Sequence, residues 1–214
     1  KDQTSIVGWT MGSMAALRAL QQGEVHVAGL HLFDPTTGES NLPFLRRALK
    51  GSNYEIVTFA TWEEGLLVRA GNPKSIRAVS DIADPCVTLV NREEGAGARL
   101  LLDQRLHAAG INYHQVRGYD TVVASHFEIA RAIASRQADA GAGIRSAAQL
   151  FGLDFVPLQA ARYDLVVPKT YLKLHPTLAH LFETLVSRPF RNEIEALGGY
   201  DTSETGKLHA LRVG

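Results

Sequence analysis

The residues whose types and spacing best suit chemistry lie between Asn91 and Arg99. Asn91 and Arg92 follow an apolar run, Val87 to Val90, and lead into Glu93-Glu94-Gly95-Ala96-Gly97-Ala98-Arg99, where an amphipathic helix is expected to begin. A strand, a glycine-bearing loop and a helix start turn several backbone N–H groups into one concavity at the positive end of a helix dipole. That arrangement suits an anion or a polar ligand. Gly95 and Gly97 allow close approach of backbone to ligand, or simply a tight turn. Arg92 can face an anion with two parallel N–H groups, or pair with Glu93 or Glu94 in solvent. Arg99 stands in the first helical turn, a poor place for a cation, which points to a ligand or inter-lobe role.

The same phrase recurs along the chain. Gly12, Ser13 and Met14 open an apolar-striped helix. The Ser13 hydroxyl, with the N–H groups of Ser13 and Met14, can contact a ligand oxygen or cap the helix. Ser125 opens another helix and carries the same two readings. Ile144 and Arg145 end the small-residue run Ala140 to Ile144. Arg145 brings positive charge to a cleft or pairs with a carboxylate such as Asp139. Tyr163 gates a cleft or packs as a hinge aromatic. Asp34 and Asn41 flank a polar loop, at a cleft mouth or in an Asx-turn. Asp81 and Asp84 read as cap and turn residues. His107, His114 and His126 lack metal-like spacing, so no metal site and no cofactor are expected, and His126 reads as a cap or surface residue. No GxSxG elbow or P-loop is present, and a binding domain rather than an enzyme is expected.

These loops need rigid elements to hold them. Apolar and small-residue runs alternate with helical stripes from end to end, which predicts an α/β fold with ligands at the carboxyl ends of strands. Expected strands are Thr4–Val7, Val25–Leu32, Ile56–Ala60, Gly65–Arg69, Val87–Val90, Val116–Tyr119, Ala140–Ile144, Phe155–Leu158 and Tyr163–Val167. A polar break at Trp62-Glu63-Glu64 separates two of them. Helices are expected from Gly12, Asn41, Val79, Ala98 and Ser125, and through most of Pro176 to Leu197. The 214-residue length and the strand-rich crossings near residues 58–69 and 155–167 suggest two lobes.

Composition narrows the function classes. Lys+Arg and Asp+Glu are both 22, so no basic tract exists to grip a phosphate backbone, and nucleic acid is not an expected direct partner of this segment. The single cysteine, Cys86, excludes an internal disulfide framework and reads as a buried, inert thiol. No apolar run is long enough to span a membrane.

The phrases GSMAALRAL, GEVHVAGLHLFDPTTGESN, GLLVRAGNPKSIRAVSDIADPCVTLVNREEGAGARLLLDQRL, ASRQADAGAGIRSAA, LDFVPLQAARYDLVVP and LGGYDTSETG cover nearly the whole chain in order. Together they resemble the type II periplasmic-binding-protein-like domain that is fused to molybdopterin-biosynthesis proteins or helix-turn-helix regulators and is related to molybdate- and tungstate-binding proteins. The resemblance implies two lobes, each a mainly parallel sheet flanked by helices, with a ligand cleft between them. Lobe 1 would comprise residues 1–62 and 165–214, without the N-terminal strand-loop-helix that members carry ahead of the segment at Ile6. Lobe 2 would comprise 63–164. It implies a non-catalytic domain that binds or senses a small anion, molybdate or tungstate, with an oxyanion-binding serine at Ser13. The signal would pass to a fused enzyme or DNA-binding module, in the cytoplasm, with homodimerisation an option. The alternatives are an extracytoplasmic (periplasmic) receptor of an ABC transporter and a degenerate interaction module. Where many members read Gly-Ser-Gly-Thr, this chain has Gly95-Ala96-Gly97-Ala98, so two hydroxyl donors are absent and backbone N–H donors remain.

Overall fold

A computed structural model describes residues 5–49 and 53–211. The first elements are α1 (Ser13–Gln22), β1 (Ala28–Leu30), β2 (Phe33–Asp34), β3 (Glu39–Ser40), α2 (Leu42–Ala48) and β4 (Tyr54–Val68). After a 3-10 turn at Val79–Ala83 come β5 (Asn91–Arg92) and α3 (Gly97–Ala108). A second 3-10 turn at Tyr113–Gln115 leads to β6 (Val122–Val123), α4 (His126–Ala134), β7 (Ala140–Ile144), α5 (Arg145–Leu150) and β8 (Asp154–Pro168). The chain closes with α6 (Lys169–Leu174), α7 (Pro176–Val186), α8 (Arg188–Ala196), β9 (Tyr200–Asp201) and β10 (Leu208–His209).

The architecture is α/β and two-lobed, but parallel pairing is a minor part of it. The spine is β4 against β8, two 15-residue strands paired antiparallel along their length. All other pairings in this six-stranded sheet are antiparallel too: β1 on β8, and β7, β9 and β10 on β4. Parallel pairing is confined to β5 with β6 and to the bridge Leu89–Ala140. The expected split of β4 at Trp62-Glu63-Glu64 is also corrected. The strand runs straight through, because Glu64 is 1 % exposed and satisfied inside the protein. Register shifts at Thr58/Ala60 and Glu64/Gly65 bend the spine instead.

Local sequence explains most elements. α1 buries Ala16, Leu17, Ala19 and Leu20 on one face and stops at Gly23, whose φ of 74° lets its N–H reach back to the last carbonyls. β7 is all small residues except Ile144, and all five are buried. A Cβ on Gly141 would meet Ile129 Cγ2 and the Val90 carbonyl at 2.7 Å, so its glycine permits α4 to lie close on the sheet. Other expectations shift. Thr4 lies outside the described residues, and Ser5–Val7 form no strand. Val116–Tyr119 is a turn, and the strand of that region is β6. Cys86 is exposed rather than buried. It stands in a turn where Asp84 Oδ1 accepts its backbone N–H at 2.7 Å.

Three apolar clusters fill the molecule. One gathers Leu17, Leu30, Leu45, Ile56, Val166 and Leu211. A second gathers Leu66, Ile76, Ile82, Leu89, Leu102 and Leu106. The third holds Trp62, Leu67, Ile129, Ile133, Ala147 and Ala148. Beside the bend of the spine sits a buried polar knot. Asp164 accepts from Thr58 Oγ1 at 3.0 Å and Asn41 Nδ2 at 2.8 Å, and pairs with Arg162 at 2.9 Å. Asn41 Oδ1 accepts from Leu32 N at 2.7 Å.

Candidate functional site

The starts of α1 and α3 meet. The Met14 N–H donates to the Gly95 carbonyl at 3.2 Å. A Cβ on Gly12 would lie 2.8 Å from Glu93 Oε1, and one on Gly97 would lie 2.6 Å from the His31 carbonyl oxygen. The Glu93–Gly97 loop is therefore packed against α1 and the end of β1. Two glycines make that approach possible.

Beside this seam lies a cavity of about 240 Å³. Its polar lining comes from Thr10, Ser13, His31, Arg92, Ser125, His126 and Tyr163. The rest comes from Trp9, Met11, Gly29, Trp62 and Phe127. No Asp or Glu is among these described lining residues.

Ser13 is 2 % exposed and its Oγ accepts the His31 N–H at 3.2 Å. Arg92, at the end of β5, is 4 % exposed, with Nε 2.8 Å and Nη2 2.9 Å from the Glu93 carboxylate. Nη1 makes no hydrogen bond among the described residues and stays available for a ligand. Ser125 caps α4 by accepting from Glu128 N at 3.1 Å, and Glu128 accepts from Ala124 N at 2.6 Å. His126 Nδ1 is buried without a partner. Burial, then the neighbouring His31 and Arg92, hold its pKa well below 6.5, so the ring is neutral at pH 7. The Tyr163 hydroxyl is pushed up by burial, and next by Tyr200, and stays protonated.

The floor is aromatic. Trp62 and Tyr163 centroids lie 4.7 Å apart, and His31 lies 5.0 Å from Trp62. His31 Nδ1 is 2.6 Å from Glu64 Oε1. The ring is not aligned for a hydrogen bond, so this is a close contact rather than a directed bond. Trp62 Nε1 donates to the same carboxylate at 3.4 Å. A side chain at Gly29 would collide with the Tyr163 ring, so glycine there sets the position of that wall.

Of the sequence-derived candidates, Ser13, Arg92, Ser125 and Tyr163 converge on the cavity. Gly12 and Met14 border it through the seam. Gly95, Ala96, Gly97 and Ala98 pack between α1, His31 and the interior, so the loop is a contact between halves and not part of the cavity wall. The Asn91 side chain donates to the Tyr119 carbonyl at 3.2 Å and accepts from Arg92 N at 3.0 Å, which turns it inward. Arg99 stacks 3.9 Å over Tyr119 and pairs with Asp103, away from the cavity. Ile144 is buried in the third apolar cluster. Arg145 pairs with Glu63 and lies over Phe155, while Asp139, suggested as its partner, pairs with Arg69. Asp34 forms the Asx-turn, accepting from Thr36 N at 3.0 Å. Sequence reasoning missed Trp9, Thr10, Met11, Gly29, His31, Trp62 and Phe127 as wall residues, and His126, read as a cap or surface residue, is a wall residue with a buried Nδ1. His31 alone had a usable signal, since it follows β1 at its carboxyl end as Arg92 follows Asn91.

The profile of the PBP superfamily domain matches residues 1–186. The chain belongs to the PBP superfamily. Within it, the chain is similar to the uncharacterized protein YvgK of Bacillus subtilis (strain 168). The two are 38% identical over 197 residues, covering 92% of this chain and 63% of that protein. A Clostridium perfringens protein solved with bound phosphate has a TM-score of 0.63 at 10% identity, over 89% of this chain and 84% of that one. PEB3 bound to L-phospholactate has a TM-score of 0.52 at 17% identity, over 75% of this chain and 74% of that one. At these identities the structural likeness is one of fold. This PBP superfamily domain has no helix, among the described residues, long and apolar enough to cross a membrane. Its described residues also bring no three of His, Cys, Asp and Glu together as a metal site.

Proposed function

We propose that the chain is a non-catalytic domain that binds or senses a small anion in the cavity beside the α1–α3 seam. The observation that carries this is Arg92, a buried guanidinium in a cavity whose described lining holds no carboxylate. Burying a cation there is costly unless a counter-charge completes it. Glu93 supplies part of that, and a bound anion would supply the rest. The lobes, proposed as residues 1–62 with 165–214 and residues 63–164, would hold the closed form through a guest touching both. The signal would then pass to a fused enzyme or DNA-binding module.

Calorimetric titration and melting of the chain with molybdate, tungstate, phosphate, sulfate and small carboxylates tests this. A true ligand at a hundredfold excess over its Kd raises stability by about 2.7 kcal/mol. The absence of both heat and a melting shift with every one of these anions contradicts the proposal. The Met14–Gly95 hydrogen bond favours a second reading, an interaction module whose seam stays closed without a guest. In that case the protein stays unresponsive to every anion while remaining folded.

A further inference from the structure

We infer that the cavity selects an organic monocarboxylate with a flat, unsaturated or aromatic body over a tetrahedral inorganic dianion. The inference rests on the anion-binding reading and narrows it.

Three observations carry it. The first is charge. Both ends of the Arg92–Glu93 pair are close, at 2.8 and 2.9 Å, so the pair brings almost no net positive charge. The other polar lining groups, Thr10, Ser13, Ser125, neutral His126 and protonated Tyr163, add hydrogen bonds but no charge, and His31 faces the Glu64 carboxylate at 2.6 Å, so it offers no unpaired positive charge. Against a near-neutral pair a dianion brings two charges with no counter-charge, whereas a monoanion brings one, which the open Nη1 edge of the guanidinium can face. The second is shape. About 240 Å³ is several times the ~30 Å³ share of one liquid water, far more than five heavy atoms of an oxyanion fill. The remaining wall is π-surface: Trp62 and Tyr163 with centroids 4.7 Å apart, and Trp9 and Phe127 at the exposed rim. Ring stacking and edge contacts reward a flat guest. The third is the occupied seam. The donor that α1 would offer an oxyanion, Met14 N–H, is already given to Gly95 O at 3.2 Å. Amino acids are disfavoured by the same lining, because no carboxylate there meets an ammonium group.

The chain's two tryptophans, Trp9 and Trp62, both line this cavity and also a neighbouring one of about 940 Å³ that lacks Arg92, so quenching that Arg92→Gln weakens reports occupancy here. The probes are benzoate, 3-phenylpropionate, phenylalanine, acetate, phosphate and molybdate. The expected result is saturable quenching by benzoate or 3-phenylpropionate, with acetate and phenylalanine at least about tenfold weaker and phosphate and molybdate silent at millimolar concentration. Phe127→Ala, at an exposed rim position, should shrink the preference for benzoate over acetate several-fold. Arg92→Gln should weaken every anion. Saturation by phosphate or molybdate, or acetate matching benzoate, overturns this inference and leaves the anion reading standing. Failure of all the probes overturns both.

Discussion

His126 shows how one side chain records the character of the site. Its Nδ1 is buried without a partner, and burial with two cationic or ionisable neighbours keeps the ring neutral. In the unfolded chain the same ring titrates near 6.5. As pH falls below that value the unfolded state takes up a proton that the folded state refuses, so stability falls with falling pH. Each such histidine steepens the dependence by at most about 1.4 kcal/mol per pH unit. His209, also held below its ordinary value, first by burial, acts in the same direction. Urea unfolding midpoints should therefore drop between pH 7 and pH 5.5, and His126→Gln should flatten part of that drop. A wild-type midpoint unchanged across this range contradicts the neutral assignment.

At the scale of elements, the bend of the β4–β8 spine depends on polar groups that apolar residues cannot replace. Asn41 joins Leu32, Leu30 and Asp164 across the start of α2, in a left-handed backbone position with φ 50°. Asn41→Ala should destabilise the fold by about 3 kcal/mol, since it takes a partner from Asp164 and from three backbone groups, Leu32 N–H and the Leu30 and Arg162 carbonyls. Chemical denaturation checks this, and a cost under about 1 kcal/mol would show the knot to be dispensable. The elements themselves were largely legible. The Ala16-Leu17-Leu20 stripe with Gly23 marks α1, and AGAGI marks β7 within one residue. Misreadings fell where tertiary contacts decide. Trp62-Glu63-Glu64 looks like a break because two glutamates in a strand suggest solvent, yet Glu64 is enclosed by His31, Trp62 and Gln159. Ser13, Arg92 and Ser125 were legible as site residues because they sit at strand ends or helix starts. Trp9, Trp62 and Phe127 were not, because three distant segments bring them together and no local spacing marks that meeting. Arg99 misled because its partners, Tyr119 and Asp103, form a largely buried stack invisible to dipole arguments.

On the scale of the whole molecule, a PBP superfamily domain presents a cavity between halves that already touch at Met14 and Gly95. Phosphate and L-phospholactate are bound by structural neighbours that share the fold at 10% and 17% identity, so they serve as comparators rather than as an assignment. The cavity of this chain combines one chelated guanidinium, hydroxyl and imidazole groups, and aromatic walls. The chain spans 63% of its Bacillus subtilis relative, and any output of lobe closure beyond this domain is a proposal about the remainder of such proteins. The most direct test is a crystal structure of the chain with the tightest-binding anion of the titration series. The expected result places the anionic group within about 3 Å of the Arg92 guanidinium, inside the cavity walled by Trp62 and Tyr163. Density for the anion only at the outer surface, with the cavity holding nothing but water at saturation, contradicts the account.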